Sequence, residues 1–139
     1  MLAALLTKKG NIKIVNKKPQ IKRANMNCIK VLYCGICGSD ISKYNGSKSI
    51  NRPIVLGHEI CGLLNNELVA IKPKTEYGFL GSDIDGGMIE NIYVDKENIM
   101  YIPRLSNNPR LATLIEPLAN VIHSVRILTN KEDVAIIGK

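Results

Sequence analysis

Eight short apolar or alternating runs, punctuated by Gly, Asn and Pro, limit the folds open to this chain more than any other feature of it. They occupy residues 2–6, 12–15, 29–33, 54–56, 60–64, 68–71, 88–94 and 98–102. Each is shorter than an ordinary helix, and many short strands bounded by turn residues predict a mainly β chain: an antiparallel barrel that closes, or nearly closes, on itself. Lys9-Gly10-Asn11 reads as the first hairpin turn and Asp85-Gly86-Gly87 as another. The period changes only in the last third. From Pro117 the apolar residues Leu118, Val121, Ile122, Val125 and Leu128 follow helical spacing, with proline suited to a first turn and Asn130 near the end. Residues 134–138 are an uninterrupted apolar run of the kind that makes a buried parallel strand, and such an edge needs another polypeptide to cover it.

The 139 residues suffice for one domain with a real core plus fragments of a second. Apolar residues make up 45% and charged residues 22%, an ordinary globular balance that excludes a disordered chain. No apolar run approaches the roughly 20 residues of a membrane span, and residues 1–6 are too short for a secretory segment. A soluble, cytoplasmic protein is expected. Lys plus Arg outnumber Asp plus Glu by 19 − 12 = 7, with many of the lysines near the start. A single Phe, no Trp and no stacking motif make these solvated lysines rather than a nucleic-acid surface.

The four cysteines, at 28, 34, 37 and 61, crowd into one half of the chain, which in an intracellular protein points to metal rather than disulfides. The richest stretch is Cys34-Gly35-Ile36-Cys37-Gly38-Ser39-Asp40, followed by Leu56-Gly57-His58-Glu59. Thiolate, imidazole and carboxylate together match the S, N and O ligands that zinc accepts, and a catalytic zinc keeps one position open. A closed Cys3His site from Cys34, Cys37, His58 and Cys61 is the structural alternative, and with the basic surface it would make a small zinc module binding nucleic acid or protein. Blander roles also exist. Ser39 or Asp40 can cap a short helix through residues 41–44, Glu116 can sit in a first turn because the helix dipole favours it, and Cys28 and Cys61 can be small core residues. His123 falls on the helical stripe, packed or facing water.

Five motifs in order make the chain resemble the zinc-dependent medium-chain alcohol and polyol dehydrogenases. They are Gly35-Ile36-Cys37-Gly38-Ser39-Asp40, Gly57-His58-Glu59, Asp85-Gly86-Gly87 before a strand, Ile115-Glu116-Pro117-Leu118, and the closing Val134-Ala135-Ile136-Ile137-Gly138. The Glu-Pro pair is closest to the polyol, sugar and threonine dehydrogenase branch. The resemblance implies a GroES-like catalytic domain over residues 1–116, then a connecting helix and the first strand of a nucleotide-binding Rossmann domain over 117–139. It implies one catalytic zinc held by Cys37 and His58, with Glu59 as a third or exchanging ligand and Glu116 binding the metal or holding its water. Ser39 would pass the alcohol proton outward, and Asp40 would hydrogen-bond the far nitrogen of His58. Cys34 is treated as a bystander.

Three departures from that pattern matter. No cysteine follows Cys61, so the structural zinc lobe of many relatives is absent and residues 65–80 are compact. Ser42 stands where some alcohol dehydrogenases continue the proton relay through a histidine. Gly138 would be the first glycine of the turn that cradles a dinucleotide pyrophosphate, and the sequence stops at Lys139. NAD(P) therefore binds only if a nucleotide-binding half is supplied, as a separate chain or through an oligomer, and the isolated chain is expected not to turn over an alcohol or polyol.

Overall fold

The computed structural model describes residues 1–18 and 23–128; the predicted strand at 134–138 lies outside them. The first elements are β1 (Leu2–Lys8), β2 (Asn11–Asn16), β3 (Met26–Gly35), α1 (Gly38–Tyr44) and β4 (Ile54–Val55). They are followed by β5 (Glu59–Leu64), β6 (Glu67–Ile71), β7 (Lys74–Thr75), β8 (Gly78–Phe79), β9 (Asn91–Asp95) and β10 (Ile99–Tyr101), and a 3-10 helix, Pro109–Leu114, runs into α2 (Ile115–Leu128). The strands form a three-stranded sheet ordered β2-β1-β4, a five-stranded sheet ordered β10-β6-β5-β3-β9 and the small hairpin β7-β8. All pairings between these strands are antiparallel, as the short-run pattern predicts.

One apolar core joins the sheets. Ala3, Ile29, Val55, Ile60, Val69, Ile71, Leu80, Ile92 and Val94 are buried together, each larger side chain among them worth about 1.5–3 kcal/mol of burial. Strands β5 and β6 are apolar at nearly every position because both of their faces are covered. Val69 and Ile71 point into the main core, while Cys61 and Leu68 pack on the other face against Ala112 of the 3-10 helix. Cys61 is therefore the small core residue expected, and its thiol donates to the Pro109 carbonyl at 3.1 Å. Cys28 is not, because the pleat turns it to the exposed side of β3 while its neighbour Ile29 points inward.

The turn chemistry corrects one expectation. Lys9-Gly10-Asn11 does close the β1–β2 hairpin, with Gly10 at φ +70°. A second tight hairpin falls at Asn65 and Asn66, both at positive φ, which is what a two-residue turn between right-twisted strands requires. Asp85-Gly86-Gly87, by contrast, turns no hairpin. It runs alongside residues 55–57, with Gly86 N–H donating to Val55 O, Gly87 N–H to Gly57 O and Met88 N–H to Leu56 O at 2.8, 2.8 and 3.0 Å. Two glycines serve there because the two backbones touch.

Asp85 anchors that crossing. Its Oδ1 accepts from Val55 N–H at 3.0 Å, its Oδ2 meets Lys17 Nζ at 2.8 Å, and Arg52 lies 3.5 Å away. Burial pushes its carboxyl up, but the hydrogen bonds from Lys17 and Val55 and the charges of Lys17 and Arg52 outweigh that and hold it below the usual value. A depressed folded pKa adds stability above the unfolded value, and that stability is lost as pH falls through the folded one. Thermal melts should show Asp85→Asn less stable than the natural protein near neutrality, with the gap narrowing below about pH 4; a gap constant with pH would refute the linkage.

The helical spacing from Pro117 is realised as α2, which begins two residues earlier, at Ile115. The 3-10 helix and α2 together make a run, Pro109–Leu128, that is long and apolar enough to cross a membrane by length and composition. This departs from the expectation that no run approaches that length, because two helical segments join end to end. Leu118, Val121, Ile122 and Val125 form its exposed apolar stripe, and His123 is exposed beside them.

Candidate metal centre

The site lies where β3 ends and β5 begins. Gly35 pairs with Glu59 as the last rung of the β3–β5 ladder, so the residues just beyond, Cys37 on one side and His58 on the other, emerge side by side. Ligand atoms of Cys37, His58 and Glu59 all lie within 4.8 Å of one another. Antiparallel register thus brings Cys37 and His58 together across the connection that carries α1 and β4.

Each side chain is positioned by its local structure. Cys37 is the N-cap of α1, and its backbone N–H donates to Asp40 Oδ2 at 3.0 Å. The other Asp40 oxygen accepts from Gly57 N–H at 3.2 Å. Asp40 is 2% exposed and therefore ties the helix start to the loop carrying His58. This differs from the predicted bond to the far imidazole nitrogen: both carboxylate oxygens are engaged by backbone donors, and none bonds His58. Gly57, at φ +93°, makes the bend that presents its N–H to Asp40. Ser39 is the second residue of α1, half-buried and two positions from Cys37.

His58 is 5% exposed and meets Phe79 edge to face, with ring centroids 5.3 Å apart. Its Nδ1 is buried with no hydrogen-bond partner. A buried imidazole with one nitrogen unpartnered, standing beside a thiol and a carboxylate, fits a metal centre. Glu59 is half-buried, and burial raises its pKa above the usual carboxylate value; His58 opposes that shift, while Glu116 and Asp40 add to it. A cation would favour the ionised form. The Glu59 carboxylate lies directly over Gly35, where any β-carbon would overlap Oε2, so the glycine beside the cysteine motif has a steric purpose.

Glu116 stands apart from the three-residue cluster. It is in the first turn of α2, close enough to raise the Glu59 pKa, and its Oε1 accepts from Asn120 Nδ2 at 2.8 Å. The closed Cys3His arrangement does not form. Cys34 pairs with Ile60 and Cys61 with Tyr33, adjacent rungs that point to opposite faces of the sheet. Cys34 faces the main core and is outside the ligand cluster, and burial, followed by the charges of Asp40 and Glu59, pushes its thiol up to about 12. Sequence reasoning placed Gly35 in the cysteine motif without its steric role, and missed Phe79. The β7-β8 hairpin that delivers Phe79 is too short to leave a periodic signal.

Residues 23–104 match the family described as "Alcohol dehydrogenase GroES-like domain". L-galactonate-5-dehydrogenase of Escherichia coli K12 is 32% identical over 82% of this chain and 42% of its own length. Galactitol 1-phosphate 5-dehydrogenase of the same strain is 27% identical over 86% and 43%. Among solved structures, 2R,3R-butanediol dehydrogenase from Bacillus subtilis superposes with a TM-score of 0.76 and 26% identity, covering 90% of this chain and 46% of that one. The chain thus spans about two fifths of the length of these curated relatives.

Proposed function

This chain belongs to the alcohol dehydrogenase GroES-like domain family, and from that premise we propose that it is the metal-carrying catalytic part of a zinc-dependent polyol or alcohol dehydrogenase acting in the cytoplasm. In this reading residues 1–116 are the catalytic domain, and residues 117–139 lead into a nucleotide-binding half that supplies the NAD(P) site. The observation that carries it is the cluster of one thiol, one buried imidazole and one carboxylate within 4.8 Å.

Cys37, His58 and Glu59 would hold one catalytic Zn2+, with Glu116 holding water beside it. When bound, the metal supplies a Lewis acid that lowers the pKa of a hydroxyl presented to it. The chain's own residues do the rest. Asp40 fixes the spacing of Cys37 and His58 through the backbone N–H groups of Cys37 and Gly57, Phe79 shields the imidazole, and Ser39 would hand the alcohol proton outward. NAD(P) held by the nucleotide-binding half would supply the hydride acceptor, and this chain would orient the secondary alcohol and release its proton.

The test is reconstitution with a separately expressed nucleotide-binding half, NAD(P) and a panel of secondary alcohols and polyols. Zinc-dependent formation of NAD(P)H is expected only when both halves are present. A zinc-loaded mixture that forms a stable complex with cofactor bound, yet reduces none of it, would overturn the reading.

A further inference from the structure

We propose that the polar cavity between the end of α1, residues 48–52 and the Ser82–Asp83 turn binds a phosphate dianion, and that it holds the phosphate group of a phosphorylated polyol substrate. Its role in substrate binding rests on the dehydrogenase reading above; the anion site itself does not.

The cavity encloses about 410 Å³ and is lined by Lys43, Lys48 and Arg52, with Asp83 as its one acidic side chain and Ser49 and Ser82 as hydroxyl donors. Among the lining side chains three cations face one carboxylate, and Arg52 also lies 3.5 Å from Asp85 outside the cavity. Lys43 is the unusual member, because a lysine that is only 4% exposed is rare without a paired anion. The ion pairs among the described residues are Lys17–Asp85 and Arg52–Asp85, and neither involves it. Its ammonium donates one hydrogen bond, to Gly81 O at 2.7 Å, and has three donors to give. Burial pushes its pKa below the ordinary lysine value, only partly offset by Asp40. A dianion in the cavity would remove that penalty.

The other walls are already set for an anion. Arg52 Nη1 donates to Pro53 O and Nη2 to Asp83 O, each at 3.1 Å, so backbone carbonyls hold the guanidinium at the cavity's edge. The Asp83 carboxylate is drawn to its own turn, where Oδ2 accepts from Phe79 N–H at 2.8 Å. A planar, preorganised guanidinium beside lysines is the side-chain set that recognises phosphate.

Position ties this cavity to the metal centre. Lys43 lies six residues after Cys37, about 9 Å along a helix axis. The carbonyl that holds it belongs to Gly81, which packs on Gly57: a β-carbon at Gly81 would sit 2.8 Å from Gly57 N. Gly57 immediately precedes His58. A polyol phosphate bound in this way would place its phosphate in the cavity and an inner carbon at the cluster.

Calorimetric titration of the full chain, loaded with cobalt, tests this with inorganic phosphate, glycerol 3-phosphate and glycerol. We expect saturable binding of both phosphates at one per chain and none of glycerol. Lys48→Ala should weaken both about tenfold, Lys43→Met at least as much, and Lys96→Ala, remote from the cavity, should change neither. If Lys43→Met does not fold, Lys48→Ala still decides. Non-saturable binding, or equal losses in Lys48→Ala and Lys96→Ala, would overturn the site. Binding of inorganic phosphate but not of glycerol 3-phosphate would overturn the substrate assignment. Cobalt absorption is read in the same samples, so a failure of the metal reading is seen separately from a failure of phosphate binding.

Discussion

Replacing Cys37 with serine should abolish the thiolate-to-cobalt charge-transfer absorption of the metal-substituted protein and weaken zinc binding by about two orders of magnitude or more. Cys37 is the only cysteine in the ligand cluster, which otherwise offers His58 and Glu59. Serine keeps the size and the N-cap position, since hydroxyls favour that position, so α1 should form and the loss should report ligation rather than unfolding. Cys34→Ser and Cys61→Ser are the contrasting variants. Cys34 sits against the main core, and Cys61 is spent on the Pro109 carbonyl on the far side of the sheet, so both should keep the cobalt band. Loss of the band in all three variants would show a closed, sulfur-rich site. Retention of the band in Cys37→Ser would remove the basis for a catalytic metal here.

Among glycine-to-alanine changes at the described residues, Gly86→Ala should be the most damaging, costing about 3–5 kcal/mol. Its φ is unremarkable, so the reason is contact. An added β-carbon would overlap Gly57 O and come within 2.7 Å of Leu56 O and 2.8 Å of Gly81 Cα, all of it backbone that cannot rotate away. The strand crossing must open, and with it the Gly86 N–H to Val55 O hydrogen bond. Because Gly57 carries His58, cobalt binding should weaken in any fraction that folds. Gly38→Ala is the control: a β-carbon at Gly38 meets nothing within 4 Å, and its melting temperature should move by a few degrees at most. Similar melting temperatures for the two variants would mean that the crossing is loosely packed.

The strands were the most legible part of the sequence, because a half-buried or doubly covered strand leaves its mark in every second residue or in all of them. The runs at 60–64 and 68–71 became β5 and β6 with nearly the expected bounds. Asp85-Gly86-Gly87 misled because glycine pairs serve two purposes, tight turns and close backbone approach, and sequence alone does not separate them. In the site, Cys37, His58 and Glu59 were legible through ordered motifs that bring together three donor types suited to zinc. Asp40 was found, but its partners were not, since a carboxylate beside several donors chooses by geometry that only the folded loop defines. Lys43 gave no warning: nothing in its neighbours distinguishes a buried lysine from a solvated one.

The last β3–β5 rung, Gly35 against Glu59, carries one proposed ligand and has the other two, Cys37 and His58, just past its ends. An ion gripped there would act as a clasp on two strand tips that otherwise splay into loops. Emptying it would let the ladder unzip from that tip first, while the buried stretch around Ile29 and Gly62 stayed shut. If the proposed ion binds there, the chemistry of the site and the closure of this seam would share one address.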